Sequence, residues 1–312
     1  MGDKLKTLIV ADNMNFLVWV NKYPFQTKII SSNNNGLIKK GIYLLTFNHK
    51  IRLLSNFYDI IFCEEFDRWA SITSHASSKP VFIRLHRYEI HEQTYIKKAN
   101  LDNIASIIAV SDHYKELIDE YFNGEVPVHV IPNAIDTKKF TFNENINTPL
   151  RICTVSNLIP RKRIFDLIIN NPELEINIGG KGIEQIILER IIRRLELNAR
   201  LRGFVELPQF YHDNDIFIMN SSDESFGVSM IEAMSCGLIP FCYAWEGIEE
   251  ILPKEHIYYN YDELREKLAH LNDMPHQKLM GIKKQMRAII EERYNVEDQT
   301  KRFIDLFEGD IS

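Results

Sequence analysis

The chain has 312 residues, 45% of them apolar and 26% charged, which is enough for two buried cores without disulfides or metals. Its net charge of −6 argues against a general nucleic-acid binder, which needs a basic face. The four cysteines (Cys63, Cys153, Cys236 and Cys242) are scattered with no C-x-x-C pair, a pattern that suits reduced thiols in a cytoplasmic compartment.

In chain order, the first apolar run, residues 7–10, is too short for a signal segment or a membrane span. No later run reaches the ~18 uncharged apolar residues a span requires. The expectation is a soluble cytoplasmic protein, at most peripheral on the inner face of a membrane. Short apolar runs predict strands at 7–10, 28–30, 60–63, 81–85, 107–110 and 128–131. Helical periodicity falls between them, as at 112–121. Residues 140–150 are polar, asparagine-rich and without periodicity, and read as a linker. The pattern restarts with strands at 152–155, 176–178, 216–219 and 239–242. Strands alternating with helices predict an α/β chain with two doubly wound, Rossmann-like halves. In such sheets ligands bind beyond the carboxyl ends of the strands, so the polar residues just after each strand are the ones to examine.

The most informative segment is 220–237, NSSDESFGVSMIEAMSCG. A predicted strand runs into a polar loop, then Gly227, then a helix. Glycine at that junction lets a ligand approach the backbone. The free N–H groups of the first helical turn, around Gly227, Val228 and Ser229, offer a phosphate site. Glu224 and Glu232 bracket this turn with seven residues between them. Carboxylates repel phosphate, so sugar hydroxyls are their natural partners. The alternative makes Glu224 a helix-capping acid and Glu232 a solvated helix residue.

This segment resembles the E-x7-E region of retaining glycosyltransferases of family 4, which have the GT-B fold. Glu224, Phe226, Gly227, Glu232, Ala233, Met234 and Gly237 fall in register. The resemblance implies two facing Rossmann-like domains with a cleft between them. These are expected at 1–146 and 147–293, with a C-terminal helix within 294–312 returning to the first. It also implies transfer of a hexose from a UDP- or GDP-sugar, with retained configuration. The acceptor would be a hydroxyl on a glycan, a lipid-linked molecule or a small molecule. No cofactor, metal or nucleic acid is expected. By the same resemblance Glu224 faces the donor sugar and Glu232 the ribose hydroxyls. Ser225, Phe226, Gly227, Val228 and Ser229 complete that wall of the donor site.

Other segments match the family in order. Residues 130–136, VIPNAID, resemble its I-P-N-G-V-D strand, with Ala134 in place of glycine. Residues 155–166, VSNLIPRKRIFD, resemble its G-R-L-x-x-x-K-G turn. Lys162 falls on the lysine that grips the diphosphate, with Arg161 beside it. Fixed cations there stabilise the charge that develops on the departing diphosphate. Asn157 stands where the family has an arginine, and Arg161 or Arg163 is a candidate substitute. Gly179 and Gly180, in INIGGKG, and Phe204 and Val205, in LRGFV, are placed against the nucleotide. His86, at the end of a predicted strand, matches a family histidine near the donor sugar; its other reading is a satisfied loop histidine. The loop after the first strand lacks the family's glycine pair. The triplet Asp213–Asn214–Asp215 looks like a D-x-D metal motif but leads straight into a strand, which makes it structural.

Two other readings share the architecture. A nucleotide-sugar 2-epimerase needs acid–base carboxylates in the first domain that no motif locates. A non-catalytic donor-binding or scaffold protein is favoured by the missing arginine at Asn157.

Overall fold

A computed structural model of the chain describes residues 5–31 and 37–309. The outlying parts of the expected domains, residues 1–4, 32–36 and 310–312, lie outside the described residues. The chain divides into two compact units, Met1–Ala134 with Val296–Ser312, and Ile135–Asn295.

Unit 1 contains β1 (Lys6–Val10), β2 (Gln26–Ile30), β3 (Ile60–Cys63), β4 (Val81–Arg84), β5 (Ile104–Ala109) and β6 (Val128–Val130). They form one parallel sheet in the order β2-β1-β3-β4-β5-β6. Helices α1 (Leu37–Leu54), α2 (Arg68–Ala76), α3 (Arg87–Glu92) and α4 (Asp112–Phe122) connect the strands. Every residue of β3 and β4 is buried, as expected of a sheet covered on both faces. Local chemistry sets the helix ends: Asp67 accepts from the amides of Trp69 and Ala70 to start α2. Ser111 caps α4, and Asn123, at φ 55°, ends it.

The C-terminal helix, Val296–Gly309, packs on unit 1. The Phe303 ring stacks on Trp19 at 4.1 Å, and Phe307 meets Phe82 edge-on at 4.8 Å. Both phenylalanines are fully buried. Each is worth about 1.5–3 kcal/mol of transfer free energy, so the helix is a structural part of the unit.

Unit 2 contains β7 (Ile152–Val155), β8 (Ile176–Gly179), β9 (Ala199–Gly203), β10 (Ile216–Met219), β11 (Ile239–Tyr243) and β12 (Ile257–Tyr258). Its parallel sheet has the order β12-β11-β10-β7-β8-β9. Its helices are α5 (Ile164–Ile169), α6 (Gln185–Arg194), α7 (Leu207–His212), α8 (Val228–Ser235), α9 (Tyr261–Asn272) and α10 (His276–Arg293). The two strands missed from the sequence are the edges of this sheet. β9 alternates buried Ala199 with exposed Arg200 and Arg202, and β12 is two residues long.

The polar stretch read as a linker packs on unit 2. Phe140 is buried, the Asn143 amide bonds Cys236 O at 3.0 Å, and Lys283 Nζ donates to Asn145 O at 2.6 Å. Asparagines there serve as hydrogen-bonding partners that keep the backbone satisfied. All four cysteines are free and buried. Among the described residues no helix is long and apolar enough to cross a membrane.

Candidate functional site

In a doubly wound sheet the ligand crevice opens beyond the carboxyl ends of the two strands between which the strand order reverses. In unit 2 those strands are β7 and β10. Their loops are tied together by Asn220, whose Nδ2 donates to Arg163 O at 2.8 Å, while Tyr258 OH donates to Asn220 Oδ1 at 2.7 Å. The Ser222 amide also bonds Arg161 O at 3.0 Å.

Between these loops lies a small hollow lined by Thr154, Ser156, Lys162, Asn220, Ser221 and Ser229. Ser156 Oγ, at its wall, is buried and lacks a hydrogen-bond partner among the described residues. Such a group costs about 1–3 kcal/mol unless something satisfies it.

Three sequence-predicted residues meet here. Lys162 Nζ donates to Glu224 Oε1, and Arg161 Nη1 lies 3.1 Å from Glu224 Oε2. Arg161 also donates to Asp223 O. Burial works to raise the Glu224 carboxyl, but Lys162 and Arg161 hold it below its ordinary value. The resemblance places Lys162 on a diphosphate and Glu224 on a sugar; in the structure the two bond to each other. Glu224 caps no helix: the residue that opens α8 is Gly227. At φ +79°, with Met219 Sδ 3.1 Å from where a Cβ would stand, this position accepts only glycine without strain. The amides of Val228 and Ser229 then begin the helix with their N–H groups free of helical partners.

Glu232 is not a solvated helix residue. Tyr211 OH donates to its Oε2 at 3.3 Å, and burial pushes its carboxyl up to about 7. Phe226, expected on the donor wall, turns its side chain inward. Its ring is 2% exposed and packs edge-on against Tyr294 at 5.2 Å, so it anchors the loop in the core. Ser225 is half-buried beside it.

Gly180 adopts φ +121°, and a Cβ there would sit 1.9 Å from Ser156 O. Gly179 packs on Val205, whose Cγ2 would lie 2.8 Å from a Cβ at that position. These residues therefore bring β8 and β9 close to the β7 loop. Phe204, next to Val205, is 87% exposed. Asn157 is exposed. Arg163 is committed elsewhere, 4.3 Å over the Tyr243 ring and 3.1 Å from Asp166. Asp215 accepts from the amides of Asn147 and Arg151 and from Asn147 Nδ2, a structural role. Among the described residues no cluster of three or more His, Cys, Asp or Glu is placed to hold a metal.

His86 belongs to unit 1, at the carboxyl end of β4. It is 8% exposed, stacks on Phe16 at 4.5 Å and places Nε2 3.5 Å from Glu64 Oε1. Arg84 holds the same oxygen at 3.1 Å. The strand order of unit 1 reverses between β1 and β3, and acids that no motif marked gather there. Burial raises Glu65 to about 7, Asp67 to about 6 and Glu89 to about 8, with the neighbouring carboxylates adding to the rise. Such groups hold or release protons near neutrality.

A family model described as glycosyl transferases group 1 matches residues 136–304. One component of the human phosphatidylinositol N-acetylglucosaminyltransferase is 35% identical over 166 residues, 48% of this chain and 34% of that protein. The Streptococcus agalactiae UDP-N-acetylglucosamine–peptide N-acetylglucosaminyltransferase GtfA subunit is 32% identical over 154 residues, 45% of this chain and 30% of that protein. The match thus spans about a third of the length of these relatives. Among solved structures, Anabaena HepE in complex with UDP and glucose superposes with a TM-score of 0.76 at 18% identity, covering 97% of this chain and 99% of that one. Sucrose-phosphate synthase from Thermosynechococcus elongatus gives 0.78 at 13%, covering 98% and 99%. These likenesses establish the fold as GT-B. The family match covers more than half of the chain, which therefore belongs to the glycosyl transferases group 1 family.

Proposed function

We propose that this protein is a retaining glycosyltransferase that takes a UDP-linked sugar as donor and transfers the sugar to a hydroxyl. One observation carries the reading: Arg161 and Lys162 converge on one carboxylate at the strand-order reversal of unit 2, beside the N-terminus of α8. A diphosphate entering there meets two cations and free amides, which favour the charge that develops as the sugar bond breaks. Glu224, released from the cations, accepts from hydroxyls of the donor sugar. Glu232 accepts from the ribose, while Gly179, Gly180, Phe204 and Val205 flank the nucleotide.

The choice of UDP over GDP is supported by the S. agalactiae relative, named for UDP-N-acetylglucosamine, and by HepE, solved with UDP. UDP-N-acetylglucosamine is therefore the first donor to test. The carboxyl edge of the unit 1 sheet, with His86, receives the acceptor, a hydroxyl of a glycan, lipid or peptide. The positive field comes from side chains and a helix terminus, so the proposed reaction needs no divalent ion.

The test is transfer from a panel of UDP-, GDP- and ADP-sugars to hydroxyl acceptors, with product anomers read by NMR and parallel reactions in excess EDTA. Retained configuration and EDTA resistance are expected. Inverted product, or activity lost to EDTA and restored by manganese, overturns those parts of the proposal. Affinity for UDP-sugars without hydrolysis or transfer would instead identify a donor-binding scaffold.

A further inference from the structure

We propose that the outward crest of α6 docks unit 2 on an anionic lipid surface. The chain as a whole is acidic, with 37 cations against 43 carboxylates. Residues 181–202 reverse that balance, with six cations against three carboxylates. Leu188 is fully buried and Ile192 packs on the same core, so the inner face of α6 is fixed to the domain. Its outer face begins with Ile186, 64% exposed, and Ile187, 53%, and Ile183, 81% exposed, sits in the turn just before the helix. It continues with Arg190, Arg193 and Arg194, all outside the core. Among the described residues none of these arginines has an ion-pair partner. At 100° per residue, positions 186, 187, 190, 193 and 194 share one side of the helix.

Two exposed isoleucines on the first turn of α6 and a third in the turn before it, followed by three unpaired arginines, match the chemistry of a helix lying in a membrane interface. Arginine stems can lie along apolar surface while their guanidinium groups reach phosphates. A helix bound to its own domain along the inner face offers only a narrow crest, which fits a plane better than a groove. The crest is also joined to the donor loop. The Leu158 amide bonds Lys181 O at 2.9 Å, the Glu184 amide bonds Leu158 O at 3.0 Å, and a Cβ on Gly182 would lie 2.2 Å from Leu158 O. Leu158 is three residues before Arg161, so docking α6 holds the candidate donor loop close to the lipid plane.

The experiment is sedimentation of the full chain with vesicles of phosphatidylcholine alone and with phosphatidylglycerol added. Binding is expected only to the anionic vesicles, and it should weaken as salt rises. Two variants test the crest. Ile186→Asp with Ile187→Asp removes the apolar turn and places acids where a helix start favours them, so folding is kept. Arg190→Glu, Arg193→Glu and Arg194→Glu together remove the charge. Each arginine near an anionic surface contributes about fivefold, so the triple variant should lose binding on the order of a hundredfold. Both variants should keep wild-type melting and UDP affinity, which separates this inference from the donor-site proposal. Absence of anionic-vesicle binding, or binding that both variants retain, overturns it. So does a wild-type dimer that either variant splits, because the crest would then be a protein contact.

Discussion

Replacing Glu224 with glutamine keeps its size and removes its charge, and its contacts with Lys162 and Arg161 set the sign of each consequence. The Glu224 side chain is 11% exposed, and it neutralises Lys162 and Arg161, whose side chains are 14% and 30% exposed. Breaking a buried pair costs about 3–5 kcal/mol, and partial exposure of Arg161 reduces this to ~2–4 kcal/mol. At roughly 2–4 °C per kcal/mol for a unit of this size, melting should fall by on the order of 10 °C. UDP affinity should move the other way. In the native protein a diphosphate must displace Glu224 from the cations; in Glu224→Gln they wait unneutralised. Relief of about 1.4 kcal/mol gives a tenfold gain in affinity. Turnover should fall roughly 10- to 100-fold, because the donor sugar loses a charged acceptor worth about 1.5–3 kcal/mol. Differential scanning fluorimetry, UDP titration calorimetry and steady-state kinetics read the three effects. A variant that melts as wild type, or loses UDP affinity along with turnover, would refute the exchange of partners.

Lys162→Ala should weaken UDP binding and slow transfer by a combined ~2–4 kcal/mol; unchanged affinity and rate would leave Arg161 as the only cation on the diphosphate. Glu232→Gln should raise the donor KM with a smaller effect on turnover, since a ribose contact is made equally before and during reaction. Because burial raises the Glu232 carboxyl to about 7, the native donor KM should improve from pH 6 to 8, and the variant should lose that dependence. Thermal stability should decline over the same window. Glu65, Asp67 and Glu89 bind protons more tightly folded than unfolded, so their contribution is fully present only below about pH 4 and is lost as pH rises through about 6 to 8. Glu224, held below its ordinary value, loses its contribution only as pH falls beneath that window. A melting temperature that rises between pH 5.5 and 8 would contradict the acid cluster.

The interior of the fold was legible because buried parallel strands must be apolar on both faces. Residues 60–63 and 216–219 show as uninterrupted runs, and both match their observed strands. β9 and β12 escaped because a sheet edge needs no such run. Glu224, Gly227 and Lys162 were legible as local motifs. Their contact was not, since Lys162 and Glu224 are 62 residues apart and are joined only by the adjacency of β7 and β10. For Phe226 the sequence shows a place in a motif but not that the loop turns its ring toward Tyr294. The acids of unit 1 left no spacing signal either. Glu65, Asp67 and Glu89 come from the segments after two different strands, and only the sheet order collects them. A carboxylate directly following a buried strand was the one local clue, at Glu64 and Glu65 after β3.

The substitution at Asn157 acquires a physical answer from the same geometry. A site that stabilises a departing diphosphate needs more than one cation, and Asn157 supplies none. Arg163 is engaged away from Glu224. Its φ of 50° turns the chain into α5, and its guanidinium is held between Tyr243, Asp166 and Tyr261. Arg161 precedes that turn and reaches across to Asp223 and Glu224. Two cations face the one carboxylate of Glu224. The more strongly charged diphosphate can therefore outcompete Glu224 for both cations at once. The displaced carboxylate then has no cation nearby to satisfy it, and hydroxyl donors of the sugar become its best remaining partners. On the proposed function, Arg161 would supply at position 161 the positive charge that Asn157 does not, and its pairing with Glu224 would couple diphosphate arrival to recognition of the sugar.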